Sequence, residues 1–215
     1  VWASVSKNMC VGDSTSPDDP LPPRVHRVSF YENRILPWLI DVGCGTSPIM
    51  KQRAKVVPGA SGAVLEIGMG SGHNLAFYDP SQVDLVWGLE PSPGMRRRAE
   101  PRLLTSPVPV RWLDLPGERV PLEDDSVDTV VLTYTLCTIP DWSAALRQMR
   151  RVLKPEGRLL FCEHGAAPDP QVRAWQARIN PGWRRLCGGC NLDRDIPALL
   201  AQGGFEIDRL ETGYI

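Results

Sequence analysis

The sequence predicts an α/β domain with a doubly wound, mostly parallel sheet. From residue 61 onward, short apolar runs of strand length alternate with stretches of helical spacing, which implies crossover units. The first run ends in a cluster of glycines, where such folds turn from strand to helix at the ligand-binding edge. The 215 residues, 42% hydrophobic and 23% charged, suit one well-filled core.

Residues 1–24 are polar and proline-rich, above all Ser14 to Pro23. They lack the charged start and apolar centre of a signal peptide and read as a flexible tail. Residues 25–60 read as an N-terminal helical cover. Phe30 to Ile40 forms one helix, bent at Pro37, and Pro48 to Val57 a second that opens with proline.

The main domain spans 61–215. Ala63–Ile67 is the first strand and His73–Tyr78 a short helix. Leu85–Glu90 is the second strand, Pro93–Glu100 a helix start, Val108–Leu113 the third strand and Val127–Leu132 the fourth. Trp142 to Lys154 is a helix. Asp141 is its N-cap, and Trp142, Ala145, Leu146, Met149, Val152 and Leu153 share one face. Pro155-Glu156-Gly157 stops it before a fifth strand, Arg158–Glu163. Helices follow at Pro170–Ile179 and from Asp195 to Gly203-Gly204, then a sixth strand at Phe205–Thr212.

A net charge of −1 argues against nucleic acid as a partner, since such proteins carry a basic excess. No run of about 18 apolar residues occurs, so no spanning membrane segment is expected. The six cysteines, at 10, 44, 137, 162, 187 and 190, are too scattered for a small disulfide framework, which favours a reducing, cytoplasmic location. The expected partners are a small-molecule substrate and at most a second copy of the chain as a homodimer.

The site argument begins at Glu66-Ile67-Gly68-Met69-Gly70-Ser71-Gly72. The glycines permit a tight bend and close ligand approach, and the following helix start offers N–H donors. The dinucleotide fingerprint is G-x-G-x-x-G, whereas here the third glycine comes one residue early. A carboxylate at Glu66 would repel a pyrophosphate but suits the ammonium of an amino-acid tail. Glu90, at the end of the second strand, stands where an acidic side chain accepts hydrogen bonds from a ribose.

Val64–Gly72 resembles motif I of the class I S-adenosylmethionine (SAM) dependent methyltransferases. Val120–Asp128 and Arg151–Leu159 resemble two further motifs of their quinone and small-molecule branch. A narrower likeness lies in Leu136–Asp141, Glu163-His164 and Gly189–Arg194. It points to a group that includes membrane-associated mammalian thiol methyltransferases; a hydrophobic N-terminal anchor such as theirs is not expected here. The resemblance implies a Rossmann-like fold, SAM as cofactor and methyl transfer to a small, fairly apolar thiol, hydroxyl or carbon nucleophile. It places Glu66, Gly68 and Gly70 on the methionine part of SAM and Glu90 on the ribose. Met69, Gly72, Asn74, Pro91, Gly117, Glu118 and Thr133 complete the expected cofactor shell. The rival readings are a SAM-binding module without catalysis and an NAD-dependent oxidoreductase.

The family sheet closes with a seventh strand inserted between the fifth and sixth. The sequence ends at Ile215, directly after the sixth, so that strand is expected to be missing, with strand five left open or paired to strand six. For the chemistry, His164 after the fifth strand and Tyr134 after the fourth are the catalytic candidates. Trp175 and Trp183 are read as substrate pocket or as packing. Cys187-Gly188-Gly189-Cys190 has no second cysteine pair to complete a metal site, and no metal is expected.

Overall fold

The computed structural model describes residues 2–7 and 30–214. Among these residues seven strands form one sheet: β1 (Trp2–Lys7), β2 (Gly62–Ile67), β3 (Val83–Leu89), β4 (Val110–Leu113), β5 (Val127–Thr133), β6 (Leu153–Cys162) and β7 (Phe205–Glu211). Their order is β4-β3-β2-β5-β6-β1-β7. Strands β2 to β6 are mutually parallel, while β1 runs antiparallel to both its neighbours.

The expectation of a missing seventh strand is therefore corrected. The slot between β6 and β7 is filled from the opposite end of the chain. Ser4 pairs with Leu160 on one side and Arg209 on the other. The physical reason is the ladder: without β1, both β6 and β7 would present rows of unpaired backbone groups. Residues 2–7, expected to be tail, thus belong to the sheet. The remainder of that stretch, 8–24, lies outside the described residues.

Among the described residues six α-helices flank the sheet: α1 (Leu36–Cys44), α2 (Ser47–Val56), α3 (Pro93–Leu104), α4 (Trp142–Val152), α5 (Pro170–Leu186) and α6 (Ile196–Gln202). Strand alternation sorts the core onto two faces. Leu65, Val130, Leu159 and Phe161 join α4 and α6 in one cluster. Val64, Val131, Leu160 and Cys162 face the other way, toward Val56, Val57 and Leu75. In α4, Ala145, Leu146, Met149 and Val152 are buried as their spacing predicts, and Asp141 caps the helix by accepting from the Ala144 N–H. The helix ends two residues short of the expected boundary because Leu153 already pairs with Val127. Pro155-Glu156-Gly157 falls in the register shift before Arg158 pairs with Thr129, a bulge that tolerates the missing proline N–H.

The helical cover begins with a wide turn over Tyr31–Ile35, which passes into α1. The irregularity sits just before Pro37, which removes a hydrogen bond from that turn. Asp41 fastens the cover to the domain: its carboxylate meets Arg98 at 2.9 Å, Arg102 at 3.1 Å and His73 at 3.0 Å. Arg98 and Arg102, both on α3, thus form this clamp with His73. Among the described residues no helix is long and apolar enough to cross a membrane.

Candidate active-site cleft

The carboxyl ends of β2, β3, β5 and β6 meet under α1 and α2, and a cleft opens there. Its floor is the glycine bend Gly68–Ser71, its flank Glu90 and Met95, and its far wall Thr133 to Thr135 with Thr138. The cover closes it with Ile40, Cys44 and Arg53. Gly68 has φ 64° and Gly70 φ 60°, a region that side chains rarely adopt. A Cβ at Gly68 would also collide with the Thr135 side chain.

Glu90 is 7% exposed and faces the cleft. Its two oxygens accept from the Gly70 N–H at 2.9 Å and the Ser92 N–H at 2.8 Å. Burial pushes its carboxyl pKa up, against the pull of those two amides. The carboxylate is held in one orientation and keeps lone pairs for a ligand hydroxyl.

The Glu66 side chain lies beneath this surface and does not face the cleft as a bare carboxylate. It is 1% exposed. Its oxygens accept from Asn74 Nδ2 at 2.9 Å and from the Tyr78 hydroxyl at 2.6 Å. Burial raises its pKa to about 7, with Tyr78, Arg53 and Asn74 resisting. Glu66 therefore anchors the turn behind the glycine bend through Asn74.

Arg53 on α2 is a charged cleft residue that sequence reasoning missed. It is buried, and Nη1 donates to Asn74 Oδ1 at 2.8 Å and to Thr133 Oγ1 at 2.6 Å. Its guanidinium lies over the Tyr134 ring, 5.0 Å from the centroid, while Nε has no hydrogen-bond partner. The signal was available: Ile49, Arg53 and Val56 share one helical face, so a cation interrupts an apolar stripe.

The remaining expected residues divide. Thr133 lines the cleft, and Met69 backs it with its side chain in the core. Gly72, at φ 78°, and Asn74 support the bend. Pro91 is exposed beside Glu90. Gly117 packs near Ile67, Ile139 and Ala145, and Glu118 accepts from the Asp141 N–H at 3.4 Å; neither lines this cleft.

Tyr134 does line it, with φ 54°. Its hydroxyl accepts from the Cys162 thiol at 3.3 Å. Burial, then Cys162, push the phenol pKa well up, so it stays protonated and is unsuited to act as a base. His164 is half-buried, and its Nε2 lies 3.2 Å from Cys190 Sγ. Burial alone would lower the imidazole pKa, but the neighbouring Cys190 raises it. The Cys190 thiol is lowered to about 4, by Cys137 first and then, against burial, by His164. Trp183, half-exposed on α5, donates its indole N–H to the same sulfur at 3.3 Å. Glu163 steadies this wall by accepting from the Thr135 N–H at 2.6 Å and the Leu136 N–H at 3.1 Å.

Comparison with known proteins gives the chain's family. Residues 65–161 match the family described as a methyltransferase domain. Human thiol S-methyltransferase TMT1B is 38% identical over 150 residues, covering 66% of this chain and 59% of the relative. Human thiol S-methyltransferase TMT1A is 34% identical over 161 residues, covering 72% and 64%. The chain thus spans about six tenths of the length of these relatives. Among solved structures, the YcgJ protein of Bacillus subtilis superposes with a TM-score of 0.55 at 25% identity, covering 67% of this chain and 62% of that one. A putative methyltransferase from Bacillus halodurans gives 0.61 at 18% identity, covering 76% and 71%. On this family match, these identities and the shared fold, the chain belongs to the class I SAM-dependent methyltransferase family.

Proposed function

We propose that the protein binds SAM in this cleft and methylates the thiol of a small, fairly apolar molecule. The observation that carries the reading is the pairing of opposite charges across the glycine bend. Arg53, with a bare Nε, supplies a cation for the cofactor's carboxylate. Glu90 supplies acceptors for its ribose hydroxyls. These residues fit SAM, which when bound supplies the activated methyl group. The thiol acceptor is drawn from the printed activity of the human relatives.

The chain's own contribution is position. Methyl transfer is an in-line displacement, and holding two reactants in line supplies much of the rate. The bend Gly68–Ser71 lets the cofactor lie against backbone. Thr133, Tyr134 and Thr135 form the wall facing the acceptor, and Ile40 and Cys44 on α1 cover it and exclude water. An ordinary thiol has a pKa of about 8.5 and is partly ionised near neutrality, so transfer to it asks less of a base than transfer to an alcohol.

Calorimetry with SAM, its demethylated product and NAD tests the binding half. Both sulfur ligands should bind with one-to-one stoichiometry and NAD should give no heat. Arg53→Met should weaken SAM by about 2 kcal/mol, roughly 30-fold, the worth of a charge-assisted hydrogen bond, and Arg53→Lys should recover part of it. Unchanged affinity in Arg53→Met would refute the assigned cation. Turnover with a panel of thiols, phenols and quinols tests the other half, and methylation confined to the phenols would overturn the thiol reading.

A further inference from the structure

Beside the cleft stands a group of ligating side chains from three separate segments. Cys137 follows β5, His164 follows β6, and Cys190 lies in the loop after α5. Their sulfur and nitrogen atoms all lie within 4.8 Å of one another. From this juxtaposition we infer that Cys137, His164 and Cys190 form a three-ligand site for a thiophilic divalent cation, zinc by its chemistry. Its fourth position takes the acceptor thiol. The metal site stands on its own geometry; the acceptor's place in it rests on the thiol reading above.

The geometry fits. Zinc binds sulfur at about 2.3 Å and imidazole nitrogen at about 2.0–2.1 Å, so tetrahedral ligand atoms stand roughly 3.4–3.8 Å apart. Cys190 Sγ and His164 Nε2 are 3.2 Å apart and all three ligand atoms lie within 4.8 Å of one another, so side-chain adjustments of up to about 1 Å seat the ion. Two thiols and an imidazole select zinc over magnesium or calcium, which prefer oxygen. Two thiolates would balance the ion's charge, leaving a neutral centre in a largely buried place.

The ligands are also held before any ion arrives. Asn191 donates to the Cys137 carbonyl from both its backbone N–H, at 3.0 Å, and its Nδ2, at 2.8 Å. That couples the Cys190 loop to the Cys137 loop. The Cys190 N–H donates to the Cys187 carbonyl at 3.1 Å, so Cys187 shapes the loop and lies outside the cluster. Arg194 donates to the carbonyls of Leu136 and Ile139, on either side of Cys137. The Trp183 indole N–H on Cys190 Sγ is the kind of outer hydrogen bond that stabilises a metal-bound thiolate. The C-x-x-C motif hid the site, because the true partners of Cys190 are distant in sequence.

Three protein ligands leave one position open, the pattern of catalytic zinc, whereas structural sites are closed by four. Thr138, next to Cys137, lines the cleft, and the open position is assigned to that side, toward the acceptor's space. Zinc displaces the protons of Cys137 and Cys190 to water, and an acceptor thiol binding there loses its own proton the same way. Its sulfur lone pair then forms the new S–CH3 bond as the sulfonium S–CH3 bond breaks, the latter's electron pair staying on the cofactor's sulfur. The neutral thioether product is a poorer ligand and departs.

Cobalt(II) titration of the reduced, metal-stripped full chain is the test, read by absorption. One equivalent should give thiolate-to-metal charge-transfer bands and the visible bands of tetrahedral cobalt, bleached by one equivalent of zinc. Cys190→Ser and His164→Asn should abolish them, Cys187→Ser should keep them, and Trp183→Phe should weaken binding about 10-fold. The titration of the unaltered chain stands even if a variant misfolds. Absence of stoichiometric cobalt bands in it, or their survival in a folded Cys190→Ser, would overturn the site. Adding an acceptor thiol should shift the visible bands. Full thiol methylation by metal-free protein would remove the metal's role and leave the function intact. A cobalt site without any thiol turnover would remove the function and leave the site.

Discussion

Ser4→Pro should destabilise the protein by about 3 kcal/mol or more, the largest effect expected from any single change outside the core. Ser4 lies in β1 with Leu160 on one side and Arg209 on the other. Proline there removes a ladder hydrogen bond, leaves its partner unmet and drives a ring into a strand paired on both edges. A flexible tail would accept the same change within about 0.5 kcal/mol. Urea unfolding followed by circular dichroism gives the free energy, with Ser4→Thr as the strand-compatible control. Amide exchange should locate the damage: protection should fall at Leu160 and Ile207, in the two neighbouring strands. A Ser4→Pro variant as stable as its parent would show that β1 does not hold this slot.

Glu66→Gln should change the pH dependence of stability. The folded carboxyl titrates at about 7, against an ordinary 4.5, because burial outweighs its hydrogen bonds. A carboxyl with a raised folded pKa binds its proton more tightly folded than unfolded. Its favourable contribution is complete below the unfolded value and is lost as pH rises through the folded one. Between pH 4.5 and about 7.5 the parent should lose on the order of 3 kcal/mol from this group. Glutamine keeps the shape and does not titrate, so the variant should gain on the parent by up to that amount across the same window. Paired denaturant curves at five pH values measure the difference and cancel the other titrating groups. Parallel profiles would mean that Glu66 titrates at the same pH folded and unfolded, and would overturn the raised value.

Much of the fold was legible because it rests on local signals. The strands ending at Ile67 and Leu89 were apolar runs closed by a glycine and an acid, Val127–Thr133 was an apolar run without such a stop, and α4 carried both a cap and an uninterrupted stripe. β1 was not legible for the opposite reason. Ala3-Ser4-Val5-Ser6 alternates as a strand should, but its partners lie far away in sequence and polar, proline-rich residues follow it. The site divides the same way. Glu90 was found from its place at a strand end. Glu66 was recognised as a special acid, yet its neighbours, Asn74 and Tyr78, could be seen only once the turn had folded back. Arg53 and Cys137 come from elements with no glycine signature, and only the packed structure brings Arg53 into the cleft and Cys137 together with His164 and Cys190.

The threading of β1 also bears on how the molecule reaches its native state. Trp2 must find Cys162 and Glu211, segments that leave the ribosome long after it. Contacts of such wide sequence separation form late, since the loop they close costs entropy before any pairing repays it. A species with helices and β2 to β6 in place but the slot vacant would carry two sticky margins at once. Refolding should accordingly show a slow final phase, and aggregation at high concentration should compete with that phase.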